Sequence, residues 1–114
     1  MSDIRLKRAY EPAEADDGTR VLVDRLWPRG LSKAKVAIDV WLKDVAPSND
    51  LRHWFGHDLK RWNEFRRRYK AELASANELK ELRQLARKGR LTLVYGARDQ
   101  QHNQAVVLKE VLSH

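Results

Sequence analysis

Cysteine is absent from this chain, which removes a thiol nucleophile, a disulfide and any thiolate metal site together. Proline occurs 3 times and glycine 5 times in 114 residues, so Pro12 and Gly18, Pro28 and Gly30, Pro47, Gly56 and Gly89 each mark an identifiable bend or stop. Long apolar runs are missing too. No stretch approaches the roughly 20 apolar residues that cross a bilayer, and Asp3 and Arg5 stand where a sustained apolar leader would run. A cytoplasmic protein with no membrane association is the expectation. Acidic residues are outnumbered, 16 Asp and Glu against 23 Lys and Arg, for a formal charge of +7 and a pI near 10.0. That charge favours anionic partners without choosing among them. A Walker loop, a dinucleotide-binding glycine fingerprint and a zinc-deaminase signature are all lacking. What remains, 42% hydrophobic and 34% charged residues, suits one soluble folded domain spanning 1–114.

Hydrophobic periodicity outlines the elements. Ile4 to Tyr10 alternates as a strand with Ile4, Leu6, Arg8 and Tyr10 on one face and Arg5 and Lys7 on the other, and Arg20 to Val23 forms a second. Leu31 to Lys35 allows a single helical turn, and the stretch from Val36 to Ala46 reads as irregular or extended. Ser48 is placed to cap a helix that stops near Gly56. A longer helix begins near Asp58, its inward stripe formed by Leu59, Trp62, Phe65, Tyr69 and Leu73. Ser75-Ala76-Asn77-Glu78 has the spacing of a capping box before Leu79, Leu82, Leu85 and Ala86. Leu91 to Tyr95 is a β-rich run, and a last helix presents Ala105, Leu108, Val111 and Leu112. Helices between successive strands favour right-handed crossings. The expected architecture is a compact single α/β domain with a small, mainly parallel β-sheet flanked by helices.

Two polar clusters follow the second and last apolar runs: Asp24-Arg25-Leu26-Trp27-Pro28-Arg29-Gly30, and Gly96-Ala97-Arg98-Asp99 continuing to His102 and Asn103. Strand carboxyl ends converge in α/β sheets, so the two clusters are expected to form one pocket. Asp24, Asp99 and His102 are the candidate catalytic residues, able to move a proton. Arg25, Arg29, Tyr95 and Asn103 are the candidate ligand contacts, with Arg29 preferred because its bend exposes it. Each has a structural alternative: an Asp24–arginine ion pair fastening the loop, Asp99 as a helix cap, His102 in a helix-edge hydrogen bond, Tyr95 as a packed aromatic. In both versions Trp27 anchors the bend. His53, His57 and Asp58 match no metal signature, and no metal or cofactor is expected. Arg66, Arg67, Arg68 and Lys70 form the densest basic run, a candidate nucleic-acid contact.

The order of Asp24 to Gly30, Trp41-Leu42-Lys43, Ala46-Pro47-Ser48, Leu51 to Phe55, His57-Asp58, Trp62, Phe65, Tyr69, Tyr95 to Asp99 and His102-Asn103 resembles the YeaO-like branch of the domain-of-unknown-function 488 family (DUF488). The resemblance runs through almost the whole chain. It implies a compact α/β domain and a family site at the strand ends, without assigning a reaction. Larger relatives are similar to an arrangement with cysteines near both ends of the final strand-to-helix connection, where this chain has Gly96 and His102. Two functional expectations result. One is a small anionic-ligand or metabolite-processing protein using the strand-end Arg/Asp/His/Asn site, and the alternative is a nonenzymatic nucleic-acid-binding or regulatory protein using its basic surface.

Overall fold

The computed structural model describes residues 3–113. Four strands, β1 (Ile4–Arg8), β2 (Thr19–Leu22), β3 (Val40–Trp41) and β4 (Leu91–Tyr95), form one sheet in the order β1-β4-β2-β3. Every pairing is parallel. The chain is thus the α/β domain its periodicity implies. β4 lies in the middle and is buried at all five positions, as a parallel strand covered on both faces must be. β1 ends two residues before Tyr10. Ala9 still donates its amide to the Tyr95 carbonyl at 2.7 Å, but the Glu11 amide turns back to the Arg8 carbonyl, leaving Tyr10 exposed.

Pleat alternation sorts the side chains into two unequal layers. Ile4, Leu6, Val21, Val23, Leu91, Leu93 and Tyr95 face the main core, filled from the helical side by residues such as Phe55, Phe65, Tyr69, Leu82 and Leu108. Leu22 and Val94 face a thinner layer with Ala9, Val36, Trp27 and Trp41. That thinner layer also holds charge. Asp17 and Arg20 are 4% and 3% exposed, and Asp17 accepts from the Arg20 guanidinium at 2.6 Å, Lys7 at 3.1 Å and the Glu14 amide at 3.0 Å. Arg20 also donates to the Val36 carbonyl, and Thr92 donates to that of Asp17. Buried charge is tolerable because every member has a partner.

Helix boundaries follow local chemistry, with two exceptions. Ser32 caps the one-turn α1 (Lys33–Val36), and the 36–46 stretch supplies β3 and a 3-10 turn at Lys43–Val45. Ser48 caps α2 (Asn49–Phe55), which stops where Gly56 adopts φ 52°. Asp58 caps a 3-10 turn (Leu59–Arg61) leading into α3 (Trp62–Leu73). Phe65, Tyr69 and Leu73 are buried as the stripe predicts, but Leu59 is 57% exposed. The tighter 3-10 winding puts Leu59 out of phase with the α-helical stripe. The expected capping box does not form. Ala76, not Ser75, is the N-cap of α4 (Asn77–Lys88), and the Ser75 hydroxyl donates back to the Glu72 carbonyl. Gly89 ends α4, and Asn103 caps the last helix, α5 (Gln104–Leu112). None of the described helices is long and apolar enough to cross a membrane.

Candidate functional site

A cavity of about 180 Å³ opens where the chain leaves β2 and β4 and α2 begins. Asp24 and Arg25 line it from the β2 side, Ala97 and His102 to Gln104 from the β4–α5 connection, and Arg52, Phe55 and His57 from α2 and its end. Asp24 Oδ2 accepts the Gly96 amide at 2.8 Å, and Oδ1 accepts the side-chain amide of Gln104. Gly96 permits this approach, since a Cβ there would stand 3.0 Å from Asp24 Oδ2. Burial pushes the Asp24 carboxyl up to about 6, against the opposing pull of the Gly96 amide, Gln104 and the Arg52 charge.

The arginines of the first cluster take different places from those expected. Neither forms an ion pair with Asp24. Arg25 lines the cavity but spends Nε and one terminal nitrogen on the carbonyls of Ala46 and Pro47 at 3.1–3.3 Å, tying the β2 loop to the entrance of α2. Arg29 is exposed and does not line the cavity. Its carbonyl accepts from the Tyr10 hydroxyl instead. Trp27 anchors the bend: its indole donates to the Leu31 carbonyl at 2.7 Å and meets Trp41 edge-on at 5.4 Å. Trp41 in turn donates to the Asp24 carbonyl.

In the second cluster, Asp99 does not cap α5. It closes the tight turn before it, one oxygen accepting the amides of Gln101 and His102 at 2.9 and 3.1 Å. The Gln101 amide foremost, and then His102, hold its carboxyl below the usual range. The cap of α5 is Asn103, whose oxygen accepts the Val106 amide at 3.1 Å while its nitrogen donates to the Asp99 carbonyl at 2.8 Å. At 3% exposure and with both ends of its amide engaged, Asn103 is scaffold more than ligand contact. His102 lines the cavity, packs edge-on against Trp62 at 5.1 Å and places Nδ1 3.0 Å from Asp99 Oδ2. Nε2 is therefore its free ring nitrogen. Tyr95 is buried on the main-core face, outside the cavity lining, and burial pushes its hydroxyl up.

Of the seven site residues read from the sequence, the cavity collects Asp24, Arg25, His102 and Asn103, and leaves out Arg29, Tyr95 and Asp99. It adds Arg52, His57 and Gln104. Arg52 and Phe55 are three apart on α2 and so share a helical face, a local signal that Phe55 and its neighbour Arg52 approach the same place. His57 follows Gly56 with φ 58°, a conformation uncommon for a residue with a side chain. The pair of left-handed residues turns the chain sharply beyond α2.

The basic run on α3 is half compensated within the fold, four cations sharing two carboxylates. Arg66 and Lys70 share Glu110 at 2.6 and 3.0 Å, and Arg67 and Arg68 share Glu64 at 2.5 and 2.8 Å. The two arginines hold the Glu64 carboxyl down to about 2.

A parallel α/β sheet with a cavity at its strand carboxyl ends defines a small domain of the strand-end pocket class. The family model described as "Inactive DUF488-N3 subclade" matches residues 3–114. The chain is 46% identical over 111 residues to YeaO of Escherichia coli (strain K12), covering 96% of each chain. It is 43% identical over 110 residues to Mb3100c of Mycobacterium bovis and to Rv3073c of Mycobacterium tuberculosis, covering 96% of this chain and 93% of each relative. This chain belongs to the DUF488 family, in its YeaO-like subclade. No solved structure matches it.

Proposed function

We propose that this protein binds a small anionic ligand in the strand-end cavity and does not turn it over. The observation that carries this reading is the donor set of the lining: the guanidinium groups of Arg25 and Arg52, joined by the ring nitrogens of His57 and His102, face one carboxylate, Asp24, among the described residues. Arg52 is the principal contact. Only one of its terminal nitrogens is engaged, with Asn49 at 3.2 Å, which leaves donors in the fixed fork suited to carboxylate or phosphate oxygens. Phe55, Phe65 and Pro47 supply the apolar walls. The word "inactive" in the description of the matching subclade supports binding over turnover when carried to this chain.

A second reading, proton transfer at His102, draws support from its hydrogen bond to Asp99. A carboxylate at Nδ1 favours the tautomer in which Nε2 accepts a proton. The two readings part on one experiment. A panel of carboxylates and phosphate esters is screened by thermal shift, each hit is followed by calorimetry, and its solution is then inspected for product. Binding is expected without product, and Arg52→Ala should weaken it about tenfold or more while the fold is kept, the worth of a charge-assisted hydrogen bond. Silence across the panel, or unchanged affinity in Arg52→Ala, overturns the proposal. Product formation abolished by His102→Ala establishes the second reading in its place.

A further inference from the structure

The anionic-ligand reading leaves one wall of the cavity unexplained. Asp24 is partly buried, yet among the described residues no Lys, Arg or His lies within ion-pair distance of it. An ionised carboxylate accepts about four hydrogen bonds. Two are filled, both from the protein side, by the Gly96 amide and the Gln104 side chain. Gln104 lines the cavity as well, and its side-chain oxygen accepts no hydrogen bond among the described residues. The wall built by the ends of β2 and β4 and the start of α5 thus sets these acceptors beside His102 and Arg25, whose guanidinium is already engaged by the Ala46 and Pro47 carbonyls and by Asp44. The wall built by α2 and its C-terminal turn, carrying Arg52 and His57, is rich in donors.

Resting on the anionic-ligand reading, we infer that the occupant is a small amino acid in the broad sense: an anionic group held by Arg52, and an ammonium or amine donor held by Asp24 and Gln104. Two arguments beyond the donor map support it. First, a carboxylate removed from water without a cation is costly, and a ligand ammonium supplies the missing partner. Second, the size fits. An apolar cavity of about 150 Å³ accommodates benzene, so the about 180 Å³ found here suits a short aliphatic or ring-bearing acid and excludes a nucleotide held entirely inside. A plain anion would satisfy one wall and leave Asp24 facing a second negative charge.

Calorimetry on the full chain tests the inference with pairs of acids that differ only in the amine: β-alanine against propionate, γ-aminobutyrate against butyrate, δ-aminovalerate against valerate. The three lengths scan the span from Arg52 to Asp24. Measurements are made near pH 7.5, above the value of about 6 at which Asp24 ionises. At one length the amino acid is expected to bind about tenfold or more tightly than its amine-free partner, the size of one charge-assisted hydrogen bond. Asp24→Asn should collapse that ratio, and Arg52→Ala should weaken both members of the pair and preserve it. Because the wild-type ratio needs no variant, an Asp24→Asn that fails to fold leaves the test intact. Equal affinities within every pair, or no binding by any of the amino acids, overturns the inference. If amine-free acids or members of the wider panel still bind, the anionic-ligand reading survives it, and if nothing binds both fall.

Discussion

Asp24 is where stability and function meet in one side chain. Its folded value of about 6 lies above the usual 3.8, so the fold favours the protonated form. The stability this contributes is fully present below about pH 4 and is lost as pH rises through about 6, an effect of roughly 3 kcal/mol. Asp24→Asn cannot ionise and lacks that loss. Relative to wild type, the variant should therefore gain up to about 3 kcal/mol between pH 4 and pH 7 in urea unfolding. A difference between the two proteins that does not change with pH would contradict the burial argument. Asp24, Arg25, His102 and Asn103 were readable as cavity residues because each follows an apolar run that ends at the same edge of the sheet. Of the two places open to Tyr95, ligand contact and packed aromatic, the structure takes the second, as its parity with Leu91 and Leu93 on the core face requires. Arg29 was misplaced because the chain turns beyond Pro28, where Gly30 takes φ 80°. Arg52 carries no local mark beyond its spacing from Phe55, and Gln104 carries none; their roles exist only once α2 and α5 are laid against the strand ends.

Among the elements, the connection before β2 does more than link strands. Asp17 gathers Lys7 from β1 and Arg20 from β2, and through Arg20 reaches the end of α1. Burial opposes ionisation of Asp17, but the Glu14 amide, Lys7 and Arg20 outweigh it and hold the carboxyl below its usual value. Asp17→Ala leaves the Arg20 guanidinium buried without its carboxylate and should cost about 3–5 kcal/mol in urea unfolding. A loss under about 1 kcal/mol would mean that Arg20 finds water or another acceptor. The acidic connection from Glu11 to Gly18 was legible as a surface link, but its inward-turned carboxylate was not, because Asp17 has no apolar neighbour to mark it as buried. The 3-10 turn at Leu59–Arg61 was hidden for a related reason: helical periodicity assumes one pitch, and a change of pitch shifts the face without changing the residues.

The net charge of +7 belongs to the whole molecule, and its distribution decides what it can do. All four cations of the α3 run are paired with Glu64 or Glu110, so two carboxylates offset half of that run's charge. Titrations with single- and double-stranded DNA and RNA should show weak association near 50 mM salt that is lost near 150 mM, as expected for diffuse phosphate contacts. Retained binding at the higher salt, reduced in Arg67→Ala or Arg68→Ala, would establish the nucleic-acid reading.

The parallel arrangement was legible from the alternation of strands and helices, but the strand order was not, since it depends on which strand the last crossover reaches. That order has a consequence for how the protein is made. β4 separates β1 from β2 and supplies the pairing for both, yet it begins only at Leu91. Until a ribosome has added Leu91 and the residues that follow it, β1 lacks its sheet neighbour and β2 has only the short β3. The open edges on either side of that gap are the kind that recruit other chains. Assembly of the sheet therefore waits for β4, and the nascent chain is most exposed to aggregation, and to chaperones, just before its central strand emerges.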